Sequence, residues 1–215
     1  MPFYEDMVAR SAAERGRFLS IPILQRALAG QVSREEYLAF LGQAYHHVRH
    51  TVPLLMACGA RLPDRLGWLR EAVARYIEEE IGHEEWILDD IAAAGGDPQA
   101  VRAARPAAAT ELMVAYAFDQ IQRGNPAGFF GMVYVLEGTS VNLAHLAAGA
   151  IQQSLGLPAT AFRYLTSHGS VDQDHIRFLE SLLDRLDAAD DRDAVEHCAG
   201  MFFRLYGDVF RSLAH

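Results

Sequence analysis

Hydrophobic and polar residues alternate along this chain with the three- and four-residue spacing of amphipathic helices, from near the first residue to near the last. The sequence contains neither an alternating Val/Ile/Thr run nor an Asn-Gly hairpin turn, so strands are not expected. The pattern therefore predicts an all-α fold.

Glycine, proline and capping residues set the expected helix ends. Ser33, with Glu36 three residues later, is a capping box that opens a helix, and Pro53 is tolerated or makes a kink inside it. Gly95-Gly96 ends a second long helix. The predicted helices cover about 3–18, 22–29, 33–60, 66–94, 108–123, 126–155, 159–187 and 190–213, with a short turn after Asp97-Pro98.

The connections between these helices are short, so neighbouring helices should run antiparallel. We find no linker, low-complexity segment or internal repeat. The sequence thus predicts one domain, residues 1–215, built as a bundle of about seven or eight helices.

Composition narrows the classes of function. Hydrophobic residues make up 51% of the 215 positions, which is typical of a globular protein, and the net charge of −9 disfavours nucleic acids and anionic membranes as partners. No stretch is apolar for long enough to span a bilayer, and the N-terminus lacks the features of a signal peptide. Two distant cysteines suggest no disulfide framework. We expect a cytoplasmic protein.

A stripe near the C-terminus carries the first chemical signal. His168, Asp172 and His175 are spaced by four and then three residues, which places them on one face of a helix. Two imidazoles and a carboxylate on one face are half of a metal site. The alternative is an exposed first turn of a helix that begins near Asp172, which Gly169 would favour because glycine weakens a helix interior.

The predicted helix over 66–94 carries a second signal. Glu80 lies three residues before His83 and Glu79 lies four before, so either carboxylate would share a helix face with the imidazole. Glu-x-x-His is the ligand pair of carboxylate-bridged di-iron bundles. The alternative is a solvated acidic face, because the five glutamates between residues 78 and 85 cannot all point inward.

Glu137 gives the third signal. It is the only charged residue between Arg123 and His145, and its neighbours are apolar. A carboxylate on a buried helix costs several kcal/mol unless it is paired or coordinated, so Glu137 is either a metal ligand or the partner of an Arg or His on another helix. Together the three helices offer three carboxylates and three imidazoles, a set that suits iron or manganese better than structural zinc.

These motifs resemble those of a known family. The stretches Glu-Glu-Glu-Ile-Gly-His-Glu-Glu-Trp, Val-Leu-Glu-Gly-Thr-Ser and Ser-His-Gly-Ser-Val-Asp-Gln-Asp-His are similar to those of the heme-oxygenase-like di-iron oxidases and oxygenases, whose superfamily includes TenA-type thiaminases and PqqC. The resemblance extends from about residue 5 to residue 213. It implies a heme-oxygenase-like bundle that acts as a homodimer.

The resemblance also implies a ligand set and a reaction class. Iron is the expected cofactor, two ions per site with manganese as an alternative, held loosely enough for empty or half-filled sites. Many members have a Glu seven residues before the histidine, where this chain has Tyr76, so Glu80 is our first choice and Glu79 our second. The reaction would activate O2 against a small organic acid or amine. The implied metal ligands are Glu80, His83, Glu137, His168, Asp172 and His175.

Further residues are candidates for a pocket. His46 and His50 share a helix face and could line a cavity, although partly exposed positions on an amphipathic helix explain them as well. Tyr134 lies three residues before Glu137, and Tyr76 is a pocket candidate by its position.

Two other functions stay open at this point. One is a cofactor-independent enzyme like the thiaminases or PqqC, and the other is a non-catalytic TenA-like binding or regulatory protein. A thiaminase needs a nucleophilic cysteine, but the apolar surroundings of Cys58 would raise its pKa and nothing but His197 stands near Cys198. A haem oxygenase would need a proximal histidine on its first helix, and no histidine precedes His46.

Overall fold

The computed structural model describes residues 1–213, apart from the side chains of residues 140–142 and 168–174. All regular secondary structure in this part of the chain is helical, which confirms the predicted all-α class. The twelve α-helices are α1 (Phe3–Arg10), α2 (Ala12–Leu19), α3 (Pro22–Leu28), α4 (Arg34–Val48), α5 (Thr51–Arg61), α6 (Gly67–Glu80), α7 (His83–Ala93), α8 (Pro98–Ala103), α9 (Ala108–Arg123), α10 (Phe129–Leu155), α11 (Arg163–Leu183) and α12 (Ala189–Arg211). Short 3-10 turns cover Asp64–Leu66, Pro126–Gly128 and Ala159–Ala161.

The predicted count of seven or eight helices is wrong because three predicted helices are broken and the predicted turn after Asp97-Pro98 is a short helix, α8. The first breaks at Ser11 into α1 and α2. The second breaks at Arg49 and His50, not at Pro53, which lies in the first turn of α5. A proline in the first turn removes only an N–H that the helix would leave unpaired, so the break precedes it.

The third break separates α6 from α7 and matters most for the site. Ile81 is extended and Gly82 has a φ of 90°, a left-handed conformation that glycine adopts without a Cβ clash. Glu80 is therefore the last residue of α6, and His83 is the first residue of α7. The prediction that these two residues share the face of one continuous helix is wrong.

Helix α10 lies at the centre of the bundle and packs against α3, α9, α11 and α12. Its contact with α12 is close at Gly131, where an added Cβ would lie 2.4 Å from the carbonyl oxygen of Val195. The buried hydrophobic side chains form one cluster with members from Phe3 to Leu213. Glu137 thus sits on a helix whose position is fixed from several sides.

The N-terminus of α11 is held by a carboxylate from α7. Asp90 is fully buried, and its side chain accepts hydrogen bonds from the backbone N–H groups of Arg163 at 2.9 Å and Tyr164 at 2.8 Å. Burial raises the pKa of Asp90 to about 6. The carboxylate satisfies two orphan donors of the helix and so fixes where α11 begins.

Among the helices of the described residues, none combines the length and the apolar character that a membrane crossing requires.

Candidate functional site

A cavity of about 200 Å³ lies inside the bundle, against α10. Most of its lining is aliphatic or aromatic, contributed by α2 to α6 and by α10 to α12. The polar groups that concern the predicted site are Tyr76, Glu80, Glu137 and His175. We call the part of the cavity lined by these four residues the carboxylate region.

His175 lies between two carboxylates in this region. Its Nε2 atom is 3.0 Å from Oε2 of Glu79, and its Nδ1 atom is 3.9 Å from Oε1 of Glu137. The histidine side chain is only 6% exposed, so the contacts are made largely out of water. Oε1 of Glu79 also accepts a hydrogen bond from Arg75 at 2.9 Å.

Glu80 and His83 meet across the break between α6 and α7. Nδ1 of His83 is 3.0 Å from Oε2 of Glu80, and both side chains are nearly buried. The imidazole packs on Trp86 with ring centroids 4.0 Å apart. The guanidinium carbon of Arg163 lies 4.3 Å from the centroid of the Trp86 ring. Gly82, in its left-handed conformation, turns the chain so that Glu80 and His83 meet although they do not belong to one continuous helix.

Both glutamates that the sequence offered as alternatives contact a candidate histidine. Successive residues of an α-helix point about 100° apart, so Glu79 and Glu80 leave the end of α6 in different directions. Glu79 faces His175 on α11, whereas Glu80 faces His83 and the cavity. Which of the two glutamates would hold a metal stays a prediction.

Of the predicted stripe on α11, the structure describes only the side chain of His175. The side chains of His168 and Asp172 lie outside the described residues. Helix α11 begins at Arg163, so the alternative of a helix that starts near Asp172 is wrong, and His175 is 5% exposed. Among the side chains that the structure does describe, no three His, Cys, Asp or Glu residues are grouped so that they could hold a metal ion.

Tyr76 lies beside the carboxylates. The residue is 2% exposed and lines the cavity, yet the hydroxyl has no hydrogen-bond partner in the part of the chain that the structure describes. Its ring meets that of His175 edge-on at 6.0 Å. Burial raises the pKa of this phenol well above its usual range, and Glu137, Glu79 and Glu80 raise it further, so the hydroxyl keeps its proton.

Three other pocket candidates lie elsewhere. His46 packs against Tyr45 and His50 against Phe118, and neither belongs to the described lining of the cavity. Tyr134 also points away from the cavity, since its hydroxyl is 2.8 Å from Oγ of Ser11.

The sequence analysis missed His47, which does line the cavity. It follows His46 by one residue and therefore points about 100° away from it on α4. The spacing of His46 and His50 identified a face that these two residues share. The face of α4 that lines the cavity is the neighbouring one, which carries His47.

The two cysteines lack the surroundings of a nucleophile. Cys58 is fully buried, its thiol donates to the carbonyl oxygen of Pro126 at 3.4 Å, and burial raises its pKa to about 12. Cys198 is also fully buried, next to the Tyr116 hydroxyl, and burial raises its pKa. Thiolate chemistry at neutral pH is therefore disfavoured at both positions.

The donor types in the carboxylate region are compatible with iron. Carboxylate and imidazole side chains from α6, α7, α10 and α11 form pairs there at 3.0 to 3.9 Å, and the buried Tyr76 hydroxyl beside them has no hydrogen-bond partner within the described residues. Mixed oxygen and nitrogen ligation of this kind is what iron and manganese accept. A bound cation would also offset the repulsion among Glu79, Glu80 and Glu137.

Comparison with known proteins gives both a family and a fold. Residues 38–207 match the family described as iron-containing redox enzymes. No curated protein shows significant sequence similarity to the chain.

Solved structures with the same fold cover nearly the whole chain. A domain of unknown function with a heme oxygenase-like fold from Shewanella denitrificans is 23% identical with a TM-score of 0.89, over 98% of this chain and 91% of that one. A TenA homolog from Pseudomonas syringae is 11% identical with a TM-score of 0.83, over 98% and 92%. The heme oxygenase of Synechocystis, solved in complex with heme, is 12% identical with a TM-score of 0.76, over 100% and 93%. At these identities the likeness shows the heme oxygenase-like fold, and the family match shows that the chain belongs to the iron-containing redox enzymes.

Proposed function

We propose that the protein is a non-haem iron oxidase or oxygenase, with two iron ions, that uses O2 to oxidise a small organic acid or amine. One observation carries the proposal: His175 is buried between Glu79 and Glu137 in the wall of a predominantly apolar cavity. A buried imidazole flanked by carboxylates from two other helices contributes little to hydrophobic packing. The same arrangement of groups is usual around a metal ion.

In this proposal, one set of residues holds the metal and another excludes water. Glu80, His83, Glu137 and His175 would hold the metal, together with His168 and Asp172, whose side chains are outside the described residues. Iron, when bound, supplies the capacity to bind O2 and to transfer electrons to it. The apolar lining of the cavity excludes water and so limits side reactions at the site.

Anaerobic titration with Fe(II) tests the proposal. We expect wild-type protein to bind about two Fe(II) per chain, and we expect the double variant His168→Ala, His175→Ala to bind fewer. His145→Ala, His197→Ala is the matched control, because it removes two exposed histidines and should bind as wild type does. Equal binding by the wild type and the site variant would contradict the proposal.

A non-catalytic binding protein is the second candidate, and the predominantly apolar lining of the cavity favours it. Such a protein would bind its ligand equally well in the presence of a chelator and would consume no O2. The burial of His175 speaks against this candidate, because a simple binding pocket does not need an imidazole held between carboxylates. A thiaminase is a weaker candidate still, since both cysteine thiols are buried with raised pKa values.

A further inference from the structure

Two buried oxygen atoms on one face of α6 have no hydrogen-bond partner among the described residues. They are the hydroxyl oxygen of Tyr76 and Oε2 of Glu79. Three positions separate these residues within α6, so their side chains project from the same side of the helix. Buried polar atoms of native proteins almost always have a partner. Two such atoms on one helix face therefore indicate a bound group that both of them contact.

The contact between Glu79 and His175 has the spacing of two metal ligands. Oε2 of Glu79 lies 3.0 Å from Nε2 of His175, yet this oxygen makes no hydrogen bond. Metals such as zinc bind carboxylate and imidazole at about 2.1 Å, and two donors at a right angle to each other are then about 3.0 Å apart. The other oxygen of Glu79 is occupied by Arg75 at 2.9 Å, which leaves Oε2 for a ligand.

Tyr76 offers a third donor beside this pair. Among the described side chains, no three His, Cys, Asp or Glu residues are grouped as metal ligands, so a third donor from this part of the chain is of another type. The Tyr76 ring lines the cavity and lies edge-on to the His175 ring at 6.0 Å. The charges of three glutamates act on its phenol, namely Glu137, Glu79 and Glu80. The hydroxyl therefore lies within the carboxylate region.

A buried phenol needs a neighbouring cation before it becomes an anion. Burial and the glutamates raise the pKa of Tyr76, so the hydroxyl keeps its proton when no metal is bound. A metal ion reverses this preference, because a cation stabilises the phenolate and metal binding releases protons from the ligands. The phenolate oxygen of tyrosine is an established protein ligand of iron.

We propose that Tyr76 is a metal ligand: when Fe(III) binds, the phenol O–H bond breaks, the oxygen bonds to the iron held by Glu79 and His175, and the proton passes to solvent. No electron is transferred in this step. The proposal deepens the proposed function, on which it rests for the identity of the metal. It gives one of the two ions a phenolate ligand, which stabilises Fe(III) relative to Fe(II) at that position.

Visible absorption of the ferric protein tests this inference without turnover. The protein is loaded anaerobically with Fe(II), oxidised by air and desalted, and the bound iron is measured so that absorbance is expressed per iron. A phenolate bonded to Fe(III) gives an intense charge-transfer band in the visible region, which carboxylate and imidazole ligands do not give. We expect this band in the wild type and its loss in Tyr76→Phe.

Competition with citrate gives a second readout. Tyr76→Phe should bind Fe(III) about tenfold or more weakly than wild type at one of the two positions, because it loses an anionic ligand. Its affinity for Fe(II) should change less, since a phenol bonds to Fe(II) weakly. A residue with a merely structural role would not change the two affinities by different factors.

Two variants and a melting curve serve as controls. Tyr134→Phe removes a buried phenol whose hydroxyl is 2.8 Å from Oγ of Ser11, and Tyr206→Phe removes the hydroxyl of a cavity residue that packs on His47. Both should keep the band of the wild type. Metal-free Tyr76→Phe should melt no lower than wild type, because it deletes a buried polar atom that lacks a partner.

The results separate this inference from the proposed function. Bound Fe(III) without the band in the wild type, or with an equal band per iron in Tyr76→Phe, would overturn the assignment of Tyr76 alone. A wild type that retains no iron would overturn both. The band together with O2 uptake no faster than that of free Fe(II) would refute the oxygenase and leave Tyr76 as a ligand.

Discussion

Removal of the Asp90 carboxylate should destabilise the protein far more than removal of an exposed helix cap. Asp90 is fully buried and accepts two backbone N–H groups, at 2.9 and 2.8 Å, from the first residues of α11. Each buried donor left without an acceptor costs about 1–3 kcal/mol. Relief from burying an ionised carboxylate offsets part of this cost, so we expect Asp90→Ala to lower the free energy of unfolding by about 2–4 kcal/mol at pH 7.5.

Asp97→Ala is the matched control. Asp97 also accepts two backbone N–H groups, at 2.9 and 3.1 Å, but it is exposed at the start of α8 and water can replace it. Its removal should cost about 1 kcal/mol. Urea denaturation gives both values, and in a thermal scan the Asp90 variant should melt roughly 5–15 °C below wild type. Equal losses in the two variants would refute the argument that burial makes Asp90 important.

The same carboxylate should make stability depend on pH. The pKa of Asp90 is about 6 in the folded protein and near 4 in the unfolded chain, so between these values the folded protein binds more protons. The stability that Asp90 contributes is therefore fully present below pH 4 and is lost as the pH rises through 6. The gap in unfolding free energy between wild type and Asp90→Ala should widen by about 1 kcal/mol from pH 7.5 to pH 5. A gap that is constant or that narrows would contradict the assigned pKa.

The remaining predictions concern glycines and thiols. Gly82→Ala should cost about 1 kcal/mol because its φ is 90°, whereas Gly16→Ala, in an open helical position, should stabilise by about the same amount; urea denaturation separates the two signs. Gly131→Ala should cost about 1–3 kcal/mol by the same assay, because the new methyl group would press on α12, and an unchanged midpoint would contradict the close packing. Cys58 and Cys198 should react with a thiol reagent at pH 8 only in denaturant, and fast reaction of the native protein would contradict their burial.

The fold class and most helix ends could be predicted because they depend on local signals. The predicted helix over 108–123 coincides with α9, and the capping box at Ser33 is present in full. The breaks at Ser11 and His50 could not be predicted, since no glycine or proline occupies those positions. Gly82 was a visible signal for the third break, but a glycine inside an amphipathic pattern does not show whether it takes a positive φ.

The candidate site was predictable in its residue types and less so in its contacts. Glu137, which its isolated charge singled out, lines the cavity, and its role as a metal ligand stays a prediction. The contacts of Glu79 with His175 and of Asp90 with α11 join residues more than 70 positions apart, and a single sequence carries no signal for such pairs. Helical periodicity relates residues on one helix only, which is also why it suggested His46 and not His47 for the cavity.

The most direct test of the central claim is the uptake of O2 by protein loaded with Fe(II) under anaerobic conditions and then mixed with oxygenated buffer. We predict rapid uptake by the wild type and by Glu111→Gln, which alters an exposed glutamate on α9, and uptake no faster than that of free Fe(II) in buffer for Glu137→Gln. Uptake by Glu137→Gln at the wild-type rate, or by the wild type only at the rate of free Fe(II), would contradict the assignment of this site as a centre for O2 chemistry.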